Sequence, residues 1–151
     1  MHSHILIATD GSEASAAAVE YGIALAKAVG AKITGLIVSR PAGVTVDVAS
    51  QGDPGANAAQ NELTKVADYA ASAGISCDVV HAEHDHPYQA IIDTANSRGC
   101  DLIVMGSHGR RGLSAVLLGS VTTKVLTHST IPVLIYRGPS SGLFPAYFAA
   151  S

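Results

Sequence analysis

Five short apolar runs, at residues 5–8, 33–38, 75–80, 101–105 and 131–136, alternate along the chain with segments of helical spacing. That alternation constrains the fold more than any other feature. Ile5-Leu6-Ile7-Ala8 and Leu102-Ile103-Val104-Met105 are unbroken, as a strand buried on both faces requires. Between the first two runs, Ala17, Tyr21, Ala24, Leu25 and Ala28 fall at helical spacing, and Gly30 is a natural stop for a helix over 13–29. Further helices are expected over 58–73 (ending at Gly74), 87–98 (with Pro87 in the first turn) and 120–128. Residues 39–55 hold Pro41, Gly43, Gly52, Pro54 and Gly55 and read as a loop, and 81–86 as a turn. Strands alternating with helices give a parallel sheet covered on both faces.

The chain has 151 residues, 48% hydrophobic and 14% charged, with a formal net charge of −3. That is one domain with a sizeable core, and neither a repeat nor a linker interrupts it. No basic block marks a nucleic-acid footprint. No apolar stretch approaches the roughly 18 residues that span a membrane, and residues 1–10 do not read as a signal peptide. The expected location is the cytoplasm, with Cys77 and Cys100 reduced near the core. Residues 1–137 form the expected domain. The tail, 138–151, is distinct: it carries both Phe residues of the chain, Phe144 and Phe148, and Tyr147. It packs on its own domain or covers a partner subunit.

The chemistry gathers after the fourth run. Gly106-Ser107-His108-Gly109 is followed by nine residues and then Gly119-Ser120. A buried strand, a glycine loop and a hydroxyl residue opening a helix suit a phosphate group. The early glycines are expected to take positive φ and let the backbone approach an anion. Ser120 is the expected N-cap, leaving free N–H groups and a positive dipole end in the next turn. Asp10 follows the first run, and a carboxylate there can hold ribose hydroxyls or a Mg²⁺ that bridges phosphates. Asp10-Gly11-Ser12 is equally good turn and cap chemistry. GxxxxGK[ST] is absent, and no GxGxxG follows the first strand, so neither a P-loop NTPase nor ordinary dinucleotide binding is indicated. Arg110 and Arg111 partly replace a Walker lysine or are solvated loop residues.

Ile7-Ala8-Thr9-Asp10-Gly11-Ser12, the 101–109 run DLIVMGSHG, Gly119-Ser120-Val121-Thr122 and Ile131-Pro132-Val133-Leu134-Ile135 resemble the universal stress protein family over residues 3–137. The motif G-x2-G-x9-G-[ST] is complete at Gly106, Gly109, Gly119 and Ser120. The resemblance implies an open, doubly wound, five-stranded parallel α/β sheet in the order 3-2-1-4-5, of the adenine-nucleotide α-hydrolase type. It also implies a homodimer paired through the last strand, 131–136, and ATP, ADP or AMP as ligand. By matching position, Gly106, Gly109, Gly119 and Ser120 would hold phosphates and ribose, with Ser107, His108 and Arg110 as further nucleotide-binding residues of the loop. Asp10 would approach the ribose or Mg²⁺. Ala8, Thr9 and Val38 would flank the adenine, with Met105, Val121 and Thr122 completing the wall. The family's frequent acidic residue after Gly-Ser-Val-Thr is Thr123 here, which removes a capping box with Ser120.

His81, His84 and His86, with Glu83 and Asp85 between them, are a second cluster. Side chains at those spacings in a turn need not converge on a metal. Neither GxSxG nor a Ser-His-Asp order accompanies Ser107 and His108, so hydrolysis is expected to be slow at most. The expected role is ATP binding in a stress or signalling module. The alternatives are an interaction scaffold working through the tail and a slow ATP hydrolase.

Overall fold

The computed structural model describes residues 1–41, 54–107 and 118–138. The elements run β1 (His4–Ala8), α1 (Glu13–Val29), β2 (Lys32–Ser39), α2 (Pro54–Ser72), β3 (Cys77–Glu83), α3 (Pro87–Ser97), β4 (Leu102–Gly106), α4 (Ser120–His128) and β5 (Val133–Tyr136). They build one parallel sheet in the order β3-β2-β1-β4-β5, the expected topology.

Side-chain parity divides the core into two layers. Ile5, Ile7, Ile33, Leu102 and Val104 meet α1 and α2 on one face, through Val19, Ile23, Val66 and Ala70. Leu6, Ala8, Leu36, Ile103 and Met105 meet α3 and α4 on the other, through Ile91, Ala95 and Val125. Ile5, Leu6, Ile7, Leu36, Ile103 and Val104 are fully buried. Each such side chain contributes about 1.5–3 kcal/mol over its exposed state. The unbroken apolar runs therefore have a direct physical cause.

Several boundaries differ from expectation. β3 starts at Cys77 and reaches Glu83, pairing with β2 from Ile33↔Cys77 to Ser39↔Glu83. Ile75 does not enter the strand, because its N–H donates to the Ala70 carbonyl (2.9 Å) and closes the end of α2 after Gly74. His81 consequently lies in a strand, where a turn was expected. Pro54 opens α2 inside the expected loop, in the position where a missing N–H is harmless. β5 starts at Val133, since Ser129 Oγ holds both the N–H and the carbonyl of Ile131 in a turn. α1 ends as expected at Gly30, which caps it at φ 74. Among the described residues no helix is long and apolar enough to cross a membrane.

The amino ends of the strands carry a buried polar pair, His4 Nε2 and Thr34 Oγ1, 2.7 Å apart. Burial chiefly, with help from Lys32, lowers the His4 pKa against a hydrogen bond to the Arg98 backbone and the pull of Asp101 and Asp78. A lowered folded-state pKa means the unfolded chain binds the proton first. The stability tied to neutral His4 is therefore present above pH ~6.5 and drains away as pH falls towards the folded value. His4→Gln is expected to flatten this loss. In urea titrations between pH 7 and 5, wild type should fall relative to the variant by at most ~1.4 kcal/mol per pH unit; parallel curves would refute the assignment.

Candidate functional site

The crossover β1-α1-β2 lies on one face of the sheet and β3-α3-β4 on the other, so the chain reverses between β1 and β4. Such a reversal opens a crevice at the carboxyl ends of the strands. The chain leaves the sheet there, after Ala8 of β1 and after Gly106 of β4.

The β1 side is a knot of hydroxyl groups around a carboxylate. Thr9 donates its N–H to the Leu36 carbonyl (2.9 Å), continuing the ladder one residue past β1. Gly11 turns the chain at φ 80, a conformation that favours glycine. Asp10 Oδ1 accepts from the Ser12 N–H and the Ser15 hydroxyl, each at 2.9 Å. Thr9 Oγ1 lies 2.9 Å from Ser15 Oγ. Ser12, the N-cap of α1, accepts from Ser15 N. Asp10 thus serves the turn, and the residue is partly exposed at the carboxyl end of β1.

The β4 side corrects two expectations. Gly106 does not take positive φ. It is a strand residue whose hypothetical Cβ would meet Ala14 O at 3.0 Å, Ala14 C at 3.2 Å and Ser15 Cα at 3.4 Å. Glycine is needed here because the first turn of α1 lies against the strand. The cap of α4 is Gly119 (φ −65, ψ 160), and Ser120 is already helical. A glycine cap costs a helix only a few tenths of a kcal/mol relative to a side-chain cap. It also leaves the N–H groups of Ser120, Val121 and Thr122 without an N-cap side chain at the positive end of the helix. Thr123 Oγ1 bonds the Gly119 carbonyl (3.0 Å), so it does not substitute for the capping-box acid.

Two hydrogen bonds join these parts. The Gly119 N–H donates to the Ser107 carbonyl (2.8 Å), and Thr122 Oγ1 donates to the Gly106 carbonyl (3.0 Å). Gly106 therefore touches β4, α1 and α4 at once. The expected phosphate residues His108, Gly109 and Arg110, like Arg111, lie outside the described residues.

The wall on the α3/α4 face is apolar. Ala8 and Met105 are buried, and Val38 and Val121 are partly buried against the same cluster. Ala82 and Tyr88 belong to it too, and sequence reasoning missed both. Ala82 pairs with Val38, so alternation along β3 would have revealed it had the strand not been ended at Val80. Tyr88 carried no readable signal; its ring lies among His86, His128 and Lys124.

His84 and His86 stay together, with ring centroids 6.0 Å apart, while His81 is engaged elsewhere. His81 pairs with Ile37 and binds Ser39 Oγ through Nε2 at 2.8 Å, whereas His84 Nδ1 accepts the His86 N–H at 2.9 Å. Among the described residues no three His, Cys, Asp or Glu side chains gather as a metal site would require. Cys77 and Cys100 are free; Cys100 is buried and Cys77 partly so. Burial pushes the Cys77 thiol up to about 11.

A parallel sheet reversing between β1 and β4, with an acidic turn after β1 and a glycine-capped helix after β4, defines an open α/β protein of the class that holds ligands at a topological switch point. The Universal stress protein family model matches residues 1–137, and the chain belongs to that family. It is 34% identical to the universal stress protein YxiE of Bacillus subtilis, over 91% of this chain and all of that one. The solved structure of MJ0577, a universal stress protein of Methanocaldococcus jannaschii, superposes with TM-score 0.74 at 27% identity, over 89% of this chain and 95% of that one. A universal stress protein solved in complex with cAMP gives TM-score 0.69 at 26% identity, over 89% and 96% of the two chains.

Proposed function

We propose that the protein binds an adenine nucleotide, ATP foremost, in the β1/β4 crevice and acts as a dimeric stress-response or signalling module. The observation that carries this reading is the pairing of chemistries across one crevice. Apolar Ala8, Val38, Met105 and Val121 suit a purine, while the α4 N-terminus and the chain leaving Gly106 suit phosphate. The relative in complex with cAMP supports the base and ribose part of the assignment. Asp10 would meet a ribose hydroxyl or a phosphate-bound Mg²⁺, and a hard cation of that kind takes oxygen ligands from one or two carboxylates plus phosphates. β5 is an edge strand, and its outer backbone edge supplies the surface for pairing with a second copy.

Thermal unfolding tests the reading. At a hundred times Kd a ligand adds about 2.7 kcal/mol, which for a domain of this size is a rise in Tm of roughly 5–10 °C. Mg-ATP is expected to give that rise and Mg-GTP a much smaller one. Equal shifts with both would remove the adenine assignment; no shift with ATP, ADP, AMP or cAMP would remove the site.

A further inference from the structure

A seam of apolar side chains runs between α1 and the edge strand β5. Tyr21 stacks on Tyr136, and Leu25, one helical turn after Tyr21, packs with Leu134 and Tyr136 against the same core cluster. The Tyr21 and Tyr136 rings stack with centroids 4.8 Å apart, yet Tyr21 remains 39% exposed, one of the few large apolar side chains described that is so open. The chain leaves the described region on this seam. A Cβ on Gly138 would lie 2.6 Å from the Tyr136 hydroxyl oxygen and 2.8 Å from Cζ, so the backbone rests on that ring as it departs.

We infer that the tail beyond Gly138 docks on the Tyr21–Tyr136 seam of its own chain through Phe144, Tyr147 and Phe148. Residues 138–151 contain no charged side chain and hold every Phe of the chain, and they lie beyond the 1–137 span of the family model. Phe144 is six residues past Gly138 and Phe148 ten, which allows a reach of roughly 20 Å and 34 Å. The tethered aromatics thus meet the seam at an effective concentration on the order of millimolar, well above a second copy in dilute solution. The inference is independent of the nucleotide reading and needs no ligand.

Hydroxyl-radical footprinting of the full chain tests it, reading oxidation of Tyr21 against Tyr69 as an internal reference. Wild-type Tyr21 is expected to be oxidised at least threefold more slowly than in Phe144→Ser/Phe148→Ser, with Phe144→Leu/Phe148→Leu retaining the protection. The protection should survive a hundredfold dilution. Equal Tyr21 rates in wild type and the Ser variant would overturn the inference. Protection that disappears on dilution would overturn it as well, because the occupant would then be a second copy.

Discussion

Gly106→Val is expected to weaken adenine-nucleotide binding at least a hundredfold and to destabilise the domain by about 3 kcal/mol, the upper range for overfilling a close-packed site. The first atom of the new side chain would already be 3.0 Å from the Ala14 carbonyl oxygen and 3.4 Å from Ser15 Cα. Both are backbone, so no rotamer change relieves the contact. α1 must move off β4, and Ser12 and Ser15 move with it, taking the partners of Asp10 Oδ1. The Thr122 bond to the Gly106 carbonyl is disturbed from the other side. Gly106→Ala should fall between wild type and valine in both quantities. Urea midpoints and nucleotide titrations check this; a valine variant that binds as wild type would show that α1 and β4 do not jointly shape the site.

The second large effect concerns Asp10, whose two roles separate by choice of substitution. Asp10→Asn keeps an oxygen to accept from Ser12 N and Ser15 Oγ, so it should leave stability within about 0.5 kcal/mol of wild type. It removes the carboxylate charge and is expected to weaken Mg-ATP at least tenfold. Asp10→Ala loses the turn as well, costing about a further 1 kcal/mol of stability for unpaired donors. Isothermal titration with and without Mg²⁺ reads the difference. If Asn weakens binding only when Mg²⁺ is present, the carboxylate acts through the cation; if it weakens both equally, it acts on the ribose. An Asn variant with unchanged affinity would confine Asp10 to the turn.

Much of this architecture was legible because buried parallel strands leave an unmistakable trace. Ile5-Leu6-Ile7 and Leu102-Ile103-Val104 can be apolar throughout only where helices cover both faces. The limits of β3 were not legible, since Ile75 looks like a strand residue and is consumed by the cap of α2. That error placed His81 in a turn and concealed Ala82. At Gly106 the structure gives glycine a different reason from the one the motif suggested. Gly106 answers to the backbone of a helix some ninety positions earlier in the chain, a contact that no local pattern encodes. The choice between Gly119 and Ser120 as cap also depends on three-dimensional closure, because the Gly119 N–H is drawn to the Ser107 carbonyl.

The central claim is that the β1/β4 crevice holds an adenine nucleotide. Its most direct test is mass spectrometry of the small molecules released when the purified, untagged full-length protein is denatured, with Gly106→Val purified in parallel. ATP or another adenine nucleotide is expected from wild type at a substantial fraction of the protein concentration, with little from the variant. Wild-type protein that releases no nucleotide and takes up none when incubated with Mg-ATP would contradict the account.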